Sequence, residues 1–269
     1  MKIEKVTPTT LLQMKERGEK AVMLAAYDYP FAKILDECGV EMILVGDSIS
    51  TTMMGRRDDI FATLDEIILH TQAVARAAQR AMVVADMPFM SYQVNIDEAK
   101  RNAGRLMSEG EADAVKLEGG VEQAETVRAL VSAGIPVMGH IGLLDQALKL
   151  TGVRIVRGRT PEDREKLLKD AKALEEAGAF MVGLVFMTVD AAREITQALR
   201  IPTQGAGGSG PYCDSYGSNI YDISGLNVGF KPKFVKRYAS ARDIIVDATK
   251  QFMKEVKEGS FPDDEHSYH

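Results

Sequence analysis

M-I-L-V-G-D-S, residues 42–48, is an apolar run that stops at a carboxylate. Met42, Ile43, Leu44 and Val45 offer no polar face, so the run reads as a strand buried on both sides, the pattern of a parallel sheet covered by helices. Asp47 sits where that strand leaves the core, and a charge there needs a reason. The grammar recurs in A-M-V-V-A-D-M-P at 81–88, in A-V-K-L-E-G-G at 114–120 and in V-M-G-H-I-G at 137–142. Upstream, K-A-V-M-L-A-A-Y-D at 20–28 is a further apolar strand that exits into Asp28.

Helices separate these strands. Thr63-Leu-Asp-Glu66 has the capping-box spacing, and Leu64, Ile67, Ile68, Thr71, Ala75 and Ala78 follow at helical intervals. Asn95-Ile-Asp-Glu98 repeats the box, Thr160-Pro161 gives a cap followed by proline, and Thr188 opens a helix through Arg200. Gly39, Gly110, Gly134 and Gly178 each follow a helical run, where a left-handed cap residue is wanted. Phe31 to Cys38 is a helix closed by Gly39, and Thr9 to Glu19 is a short helix that plugs one end of the assembly. Strands centre near Val22, Ile43, Val83, Val115, Val137, Met181 and Thr203. Seven or eight βα units in about 250 residues predict an α/β fold closed as a (β/α)8 TIM barrel, residues 1–269 forming one domain with an N-terminal capping helix. The eighth strand has to come from S-Y-G-S-N-I at 215–220, whose residues are poor strand formers. Ser48 to Ala62 reads as a long polar loop, and Phe234 to Glu258 returns to helix before an acidic tail expected at the surface or an interface.

With 269 residues, 45% of them hydrophobic, the chain can bury one large core. Its net charge of -6, with no basic block, argues against nucleic acid and anionic membrane as partners and points to a small ligand. Cys38 and Cys213 lie far apart without metal-type spacing and are expected as free thiols in a reducing compartment. No basic-then-apolar leader is read, and no apolar run nears the roughly 18 residues of a membrane span, so a cytoplasmic location is expected.

A barrel builds its site where strands end and βα loops begin. That rule gathers Asp28, Asp47, Ser48, Asp86, Lys116, Glu118 and His140 into one mouth. A single strand-end aspartate is equally well a helix cap or a loop hydrogen-bonder. Asp47 and Asp86 follow adjacent strands, and close carboxylates repel unless a cation or proton lies between them. A hard cation such as Mg²⁺, which takes one or two carboxylates plus substrate oxygens, answers that need, whereas scattered Cys and His do not suit zinc. Lys116 and Glu118 lie two apart and point the same way, either as a mutual salt bridge or as a pair serving a substrate carboxylate and the metal's surroundings. His140 is either a satisfied core histidine or a proton carrier; His70 and His266 read as structural. Gly205-Ala-Gly-Gly-Ser-Gly210 follows the seventh strand and reads as a flexible loop or an anion nest.

With these residues in place, the chain resembles the ketopantoate hydroxymethyltransferase (3-methyl-2-oxobutanoate hydroxymethyltransferase) family. The matches are A-Y-D-Y at 26–29, L-V-G-D-S at 44–48, A-D-M-P-F at 85–89, V-K-L-E-G-G at 115–120, I-P-V-M-G-H-I-G at 135–142 and F-P-D-D-E-H-S at 261–267. The resemblance implies a (β/α)8 barrel, commonly decameric, that moves a one-carbon unit from 5,10-methylenetetrahydrofolate onto 3-methyl-2-oxobutanoate in pantothenate biosynthesis. It implies Mg²⁺ on Asp47 and Asp86, Ser48 and Lys116 on the substrate carboxylate, Glu118 beside the metal waters and His140 in the pocket.

The departures cluster at the mouth. In the family a glutamate acting as general base stands in a stretch like L-E-x-V-P; here that register reads Leu184-Val185-Phe186-Met187-Thr188. Positioned acid–base groups are worth about 10²–10⁴-fold, so the parent activity is expected to be reduced or lost. The family's G-I-G-A-G becomes Gly205-Ala-Gly-Gly-Ser-Gly210, and D-G-Q-V-L-V becomes Asp214-Ser-Tyr-Gly-Ser-Asn219, which takes away an expected strand. The loop after Asp47 and the segment Leu144 to Arg157 also lack family elements. These changes leave open a remodelled or engineered barrel with different carbonyl chemistry, for example a Lys116 made nucleophilic beside Val185 and Phe186, or a silent ligand-binding scaffold.

Overall fold

The computed structural model describes residues 4–227, 229 and 231–269. Its strands are β1 (Ala21–Ala25), β2 (Met42–Val45), β3 (Met82–Asp86), β4 (Ala114–Glu118), β5 (Val137–Gly142), β6 (Met181–Val185), β7 (Thr203–Ala206) and β8 (Ser215–Asn219). Each pairs in parallel with the next, and β8 pairs with β1, so the sheet closes as an eight-stranded barrel in chain order. The helices are α1 (Pro8–Glu16), α2 (Tyr29–Cys38), α3 (Ile49–Thr52), α4 (Leu64–Ala77), α5 (Ile96–Ser108), α6 (Ala124–Ser132), α7 (Leu148–Thr151), α8 (Pro161–Glu176), α9 (Val189–Ala198), α10 (Ile220–Ile223) and α11 (Ala241–Glu258). The (β/α)8 expectation holds.

The caps explain the helix starts. Thr63 and Glu66 form a reciprocal box at α4, and Asn95, Thr160 and Thr188 each accept a backbone N–H at the heads of α5, α8 and α9. Gly39 ends α2 at φ 82°, a conformation that favours glycine. Helix α1 starts one residue earlier than the threonine pattern suggests, with Thr7 as cap and Pro8 in the first turn. Val6 and Leu11 pack with Met23, Met42, Met82, Met138 and Met181, so the α1 segment closes the N-terminal end of the barrel with an apolar layer.

The eighth strand corrects the sequence reading. All five residues of β8 register with β1, from Ala21↔Ser215 to Ala25↔Asn219, and two register with β7. Pairing on both sides overrides weak intrinsic propensity. Glycine has a packing role here, because a Cβ at Gly217 would collide with the Gln204 side-chain nitrogen. Gln204 is itself buried inside the barrel.

The chain divides into two compact units, Met1–Asn219 and Ile220–His269. The first is the barrel. In the second, α11 has no buried residue and ends at Gly259, after which Phe261 packs edge-on against Phe252 with ring centroids 5.6 Å apart. Among the described residues no helix is long and apolar enough to cross a membrane.

Candidate active site at the barrel mouth

Strand alternation decides which side chains face the barrel axis. Met82 and Val84 on β3, Ala114 on β4, Met138 on β5 and Met181 on β6 belong to the interior layer. Counting by twos brings Asp86, Lys116, Glu118, His140 and Val185 to the same face nearer the mouth. The register sets Asp86 beside Lys116, Glu118 beside His140, and His140 beside Gly183. Asp47, Asp86, Lys116, Glu118 and His140 are all buried.

The carboxylates engage each other through the backbone. Asp47 N–H donates to Asp86 Oδ2 at 3.1 Å. Gly46 permits the approach, since a Cβ there would lie 3.1 Å from that oxygen and 3.0 Å from Ser48 Oγ. Lys116 Nζ lies 2.7 Å from Asp86 Oδ1 as an ion pair, yet that buried oxygen has no directed hydrogen bond. His140 Nε2 is 2.9 Å from the Leu143 carbonyl oxygen, which can only accept, so Nε2 carries the ring proton. Its Nδ1 lone pair faces Lys116 Nζ and Glu118 Oε1, each at 3.4 Å. Burial, reinforced by the Lys116 charge, holds the His140 pKa well below the usual range. The ring is therefore neutral, and its contact with Glu118 is not an ion pair.

Negative charge exceeds positive at this mouth. Burial pushes the Asp86 carboxyl up to about 7, with Lys116 opposing and Asp47 adding to the rise. Burial and then Asp47 push Glu118 well above the carboxylate range, and the same two causes raise Asp59 to about 6. Asp145 is raised as well, by burial, although Arg154 lies 3.0 Å away. Burial works to discharge Lys116, but Asp86, Asp47 and Glu118 outweigh it and raise its pKa. These acids favour the protonated ammonium over a neutral, nucleophilic Lys116.

The residues fit a divalent cation. Asp47 and Asp86 bring two carboxylates to one buried place, with Lys116 on Asp86 Oδ1 as the one nearby cation, and the surrounding acids are short of positive charge. Among the described residues no group of three or more His, Cys, Asp or Glu side chains is arranged to hold a metal. An ion here would therefore rest on two carboxylates and on water or substrate oxygens, as hard cations of the Mg²⁺ kind do.

Other sequence candidates are placed as follows. Ser48 Oγ is 2.7 Å from Tyr27 OH, which accepts a hydrogen bond from Asn219 Nδ2 at 2.9 Å. Asp28 caps α2, accepting Phe31 N–H at 2.8 Å, so of its two readings the helix cap is the one observed. His70 Nδ1 donates to Tyr27 O at 2.6 Å. Val185 is half-buried at the end of β6, level with Gly142 and Ala206. The 205–210 segment completes β7 and then turns through Gly207, Gly208 and Gly210 at positive φ, with the buried Ser209 hydroxyl donating to Ala206 O at 2.6 Å.

Sequence reasoning missed Gln146. It is buried on the segment after β5 and touches Asp47, Glu118, Met87 and Tyr92. Its position six residues past His140, in a βα connection at the active end of a barrel, was the available signal. The same segment lines a separate cavity of about 470 Å³, walled by Leu143, Leu144, Val153, Ile155 and Val156 with Arg159 beside them.

Residues 5–264 match the family model of ketopantoate hydroxymethyltransferase. The chain is 49% identical over 264 residues to the 3-methyl-2-oxobutanoate hydroxymethyltransferase of Geobacter metallireducens, covering 98% of each chain. This chain belongs to the ketopantoate hydroxymethyltransferase family. The enzyme of the same name from Moorella thermoacetica is 50% identical over 265 residues, again covering 98% of both. Among solved structures, phosphonopyruvate hydrolase in complex with oxalate and Mg++ superposes with a TM-score of 0.61 at 13% identity, over 97% of this chain and 93% of that one. Oxaloacetate acetylhydrolase with the product oxalate gives 0.60 at 15% identity, over 96% and 99%. At such identities the likeness concerns the barrel alone. Within the ketopantoate hydroxymethyltransferase frame, the five buried polar groups come from motifs at 44–48, 85–89, 115–120 and 135–142, on β3 to β5 or, for Asp47, just past the end of β2.

Proposed function

We propose that this chain catalyses hydroxymethyl transfer to C3 of 3-methyl-2-oxobutanoate, slowly, because the β6 position that should hold a proton acceptor holds Val185. The observation that carries the reading is the buried Asp47, Asp86, Lys116, Glu118 and His140 cluster in a chain about half identical to enzymes of that name. Asp47 and Asp86 would hold Mg²⁺, which when bound would draw electrons from the keto group and acidify the adjacent C–H. Lys116, kept protonated, supplies a fixed positive charge for the substrate carboxylate, and Ser48 orients it by hydrogen bonding. Glu118, raised toward its neutral form, supports the solvent around the cation and holds a proton next to His140 Nδ1. His140, neutral with Nδ1 unprotonated, is the acceptor left to stand in for the missing carboxylate. That lone pair already faces the Lys116 ammonium, so proton removal is expected to be slow. 5,10-Methylenetetrahydrofolate is the proposed one-carbon donor.

A second reading is favoured by Val185 itself: a barrel that binds the 2-oxo acid without turning it over. Both are tested by incubating the protein with Mg²⁺, 3-methyl-2-oxobutanoate and 5,10-methylenetetrahydrofolate and measuring ketopantoate by mass spectrometry. Slow formation above a protein-free control supports transfer. Saturable 2-oxo acid binding without product supports the silent binder, and neither binding nor product overturns the assignment.

A further inference from the structure

Gln146 makes a set of contacts that fixes its amide uniquely. Its Nε2 donates to Asp47 Oδ2 at 3.0 Å and to Met87 O at 3.0 Å. Its Oε1 accepts from Tyr92 OH at 2.8 Å and from Gln93 Nε2 at 3.0 Å. The amide cannot be turned over, because a carboxylate and a carbonyl oxygen only accept. All four of its hydrogen-bonding sites are used, and the residue is buried. Its backbone N–H also donates to Glu118 Oε2 at 3.0 Å. One residue of the β5–α7 connection thus reaches two acids of the cluster, one through its side chain and one through its backbone.

The consequence lies in which oxygens are taken. Asp86 Oδ2 is held by Asp47 N–H and its Oδ1 pairs with Lys116 Nζ at 2.7 Å, whereas Asp47 Oδ2 is held by Gln146. The Asp47 carboxylate thus has one oxygen anchored by the Gln146 amide, which restricts its rotation. Its second oxygen is then aimed without the entropy cost of ordering it when a ligand arrives. The donor is a neutral amide, so it steers Asp47 without cancelling the negative charge that attracts a cation.

We infer that Gln146 is a positioning residue that sets the Asp47 carboxylate for a divalent cation. The inference rests on the reading of Asp47 and Asp86 as a cation site. Residues that orient metal-binding carboxylates this way are typically worth about 10–100-fold in metal affinity. Met is close to Gln in shape but lacks the amide, so Gln146→Met releases Asp47 and keeps the backbone N–H to Glu118. Gln93→Leu and Tyr92→Phe are the controls: each removes a hydrogen bond to Oε1 and leaves the Nε2 bond to Asp47 in place, Tyr92→Phe also removing the hydroxyl that accepts the Glu118 N–H.

The experiment is titration of the purified protein with Mn²⁺ alone, followed by electron paramagnetic resonance of the free ion, with folding checked by thermal melts in EDTA. The expected result is a Kd raised by about 10–100-fold in Gln146→Met and by a clearly smaller factor in the two controls. A purely structural role for Gln146 predicts that all three variants melt earlier yet bind Mn²⁺ alike, and that result overturns the inference. Should Gln146→Met fail to fold, Gln146→Asn carries the test, since a side chain one methylene shorter draws the amide nitrogen back from Asp47 Oδ2; unchanged Mn²⁺ affinity there overturns it equally. A wild-type protein that binds no Mn²⁺ removes the cation site and this inference with it, whereas wild-type binding with unchanged variants removes the inference alone.

Discussion

The two sides of the barrel mouth are built on opposite chemistry. From β2 to β5, strands and their exits deliver Asp47, Asp86, Lys116, Glu118 and His140, all buried and bound to one another. From β6 to β8, the strands read M-V-G-L-V, T-Q-G-A and S-Y-G-S-N and bring no carboxylate, lysine or histidine. The scaffold does not differ between the sides, since the strands pair in register all round. Closing a barrel and equipping its mouth are therefore separable. Backbone pairing accepts glycine, serine and glutamine on β7 and β8, while chemistry needs particular side chains at particular strand ends.

The largest test of this comparison adds a charge to the poor side. Val185→Glu points a carboxylate at the mouth, and we expect the C3 proton exchange of 3-methyl-2-oxobutanoate to rise by about 10²-fold or more, measured by NMR in D₂O. No gain would mean that the two sides do not cooperate in the proposed way. Next in size is removal of a charge from the rich side. Lys116→Met leaves the buried Asp86, Asp47 and Glu118 without the cation that offsets them and should cost about 3–5 kcal/mol in chemical denaturation, the usual penalty for breaking a buried pair. A loss below about 1 kcal/mol would class the pair with solvent-exposed bridges.

How much of this was legible depends on the kind of residue. Asp47, Asp86, Lys116, Glu118 and His140 could be read because an apolar run that ends in an ionisable group contradicts its surroundings. Asp28 shows the weakness of that rule: the same pattern marked a helix cap. Strand β8 was underrated because propensity ignores two neighbours offering hydrogen bonds. Gln146 was harder to read for a different reason, its place in a βα connection being the one signal. A neutral amide in a loop carries no periodic or charge signal, and its contacts with residues as distant as Asp47 exist only in the folded chain.

The state of Lys116 gives a third, qualitative test. Asp86, Asp47 and Glu118 hold it protonated, so borohydride treatment with 3-methyl-2-oxobutanoate should leave it unmodified by peptide mass spectrometry. Reductive labelling of Lys116 would show that the acids do not control its charge and would restore a Schiff-base reaction. A smaller effect concerns pH. Asp86 is raised to about 7, and Glu118 moves in the same direction. Between the usual carboxylate range near 4 and about pH 7, the folded protein holds protons that the unfolded chain has released, so stability falls as pH rises through that window. Glu66, lowered to about 2 by Arg56, contributes its stability above the usual range and loses it only in stronger acid. Thermal melts in EDTA should therefore show Tm declining between about pH 5 and pH 7, and a Tm that climbs instead would contradict the raised Asp86 value.

The central claim is that the β2–β5 side can bind and activate a 2-oxo acid while the β6–β8 side lacks the group that takes its proton. The direct measurement is deuterium incorporation at C3 of 3-methyl-2-oxobutanoate, with Mg²⁺ in D₂O, for wild type and Val185→Glu side by side. The account predicts slow exchange above a protein-free control for wild type and much faster exchange for the variant. Exchange at the control rate in both proteins would contradict it.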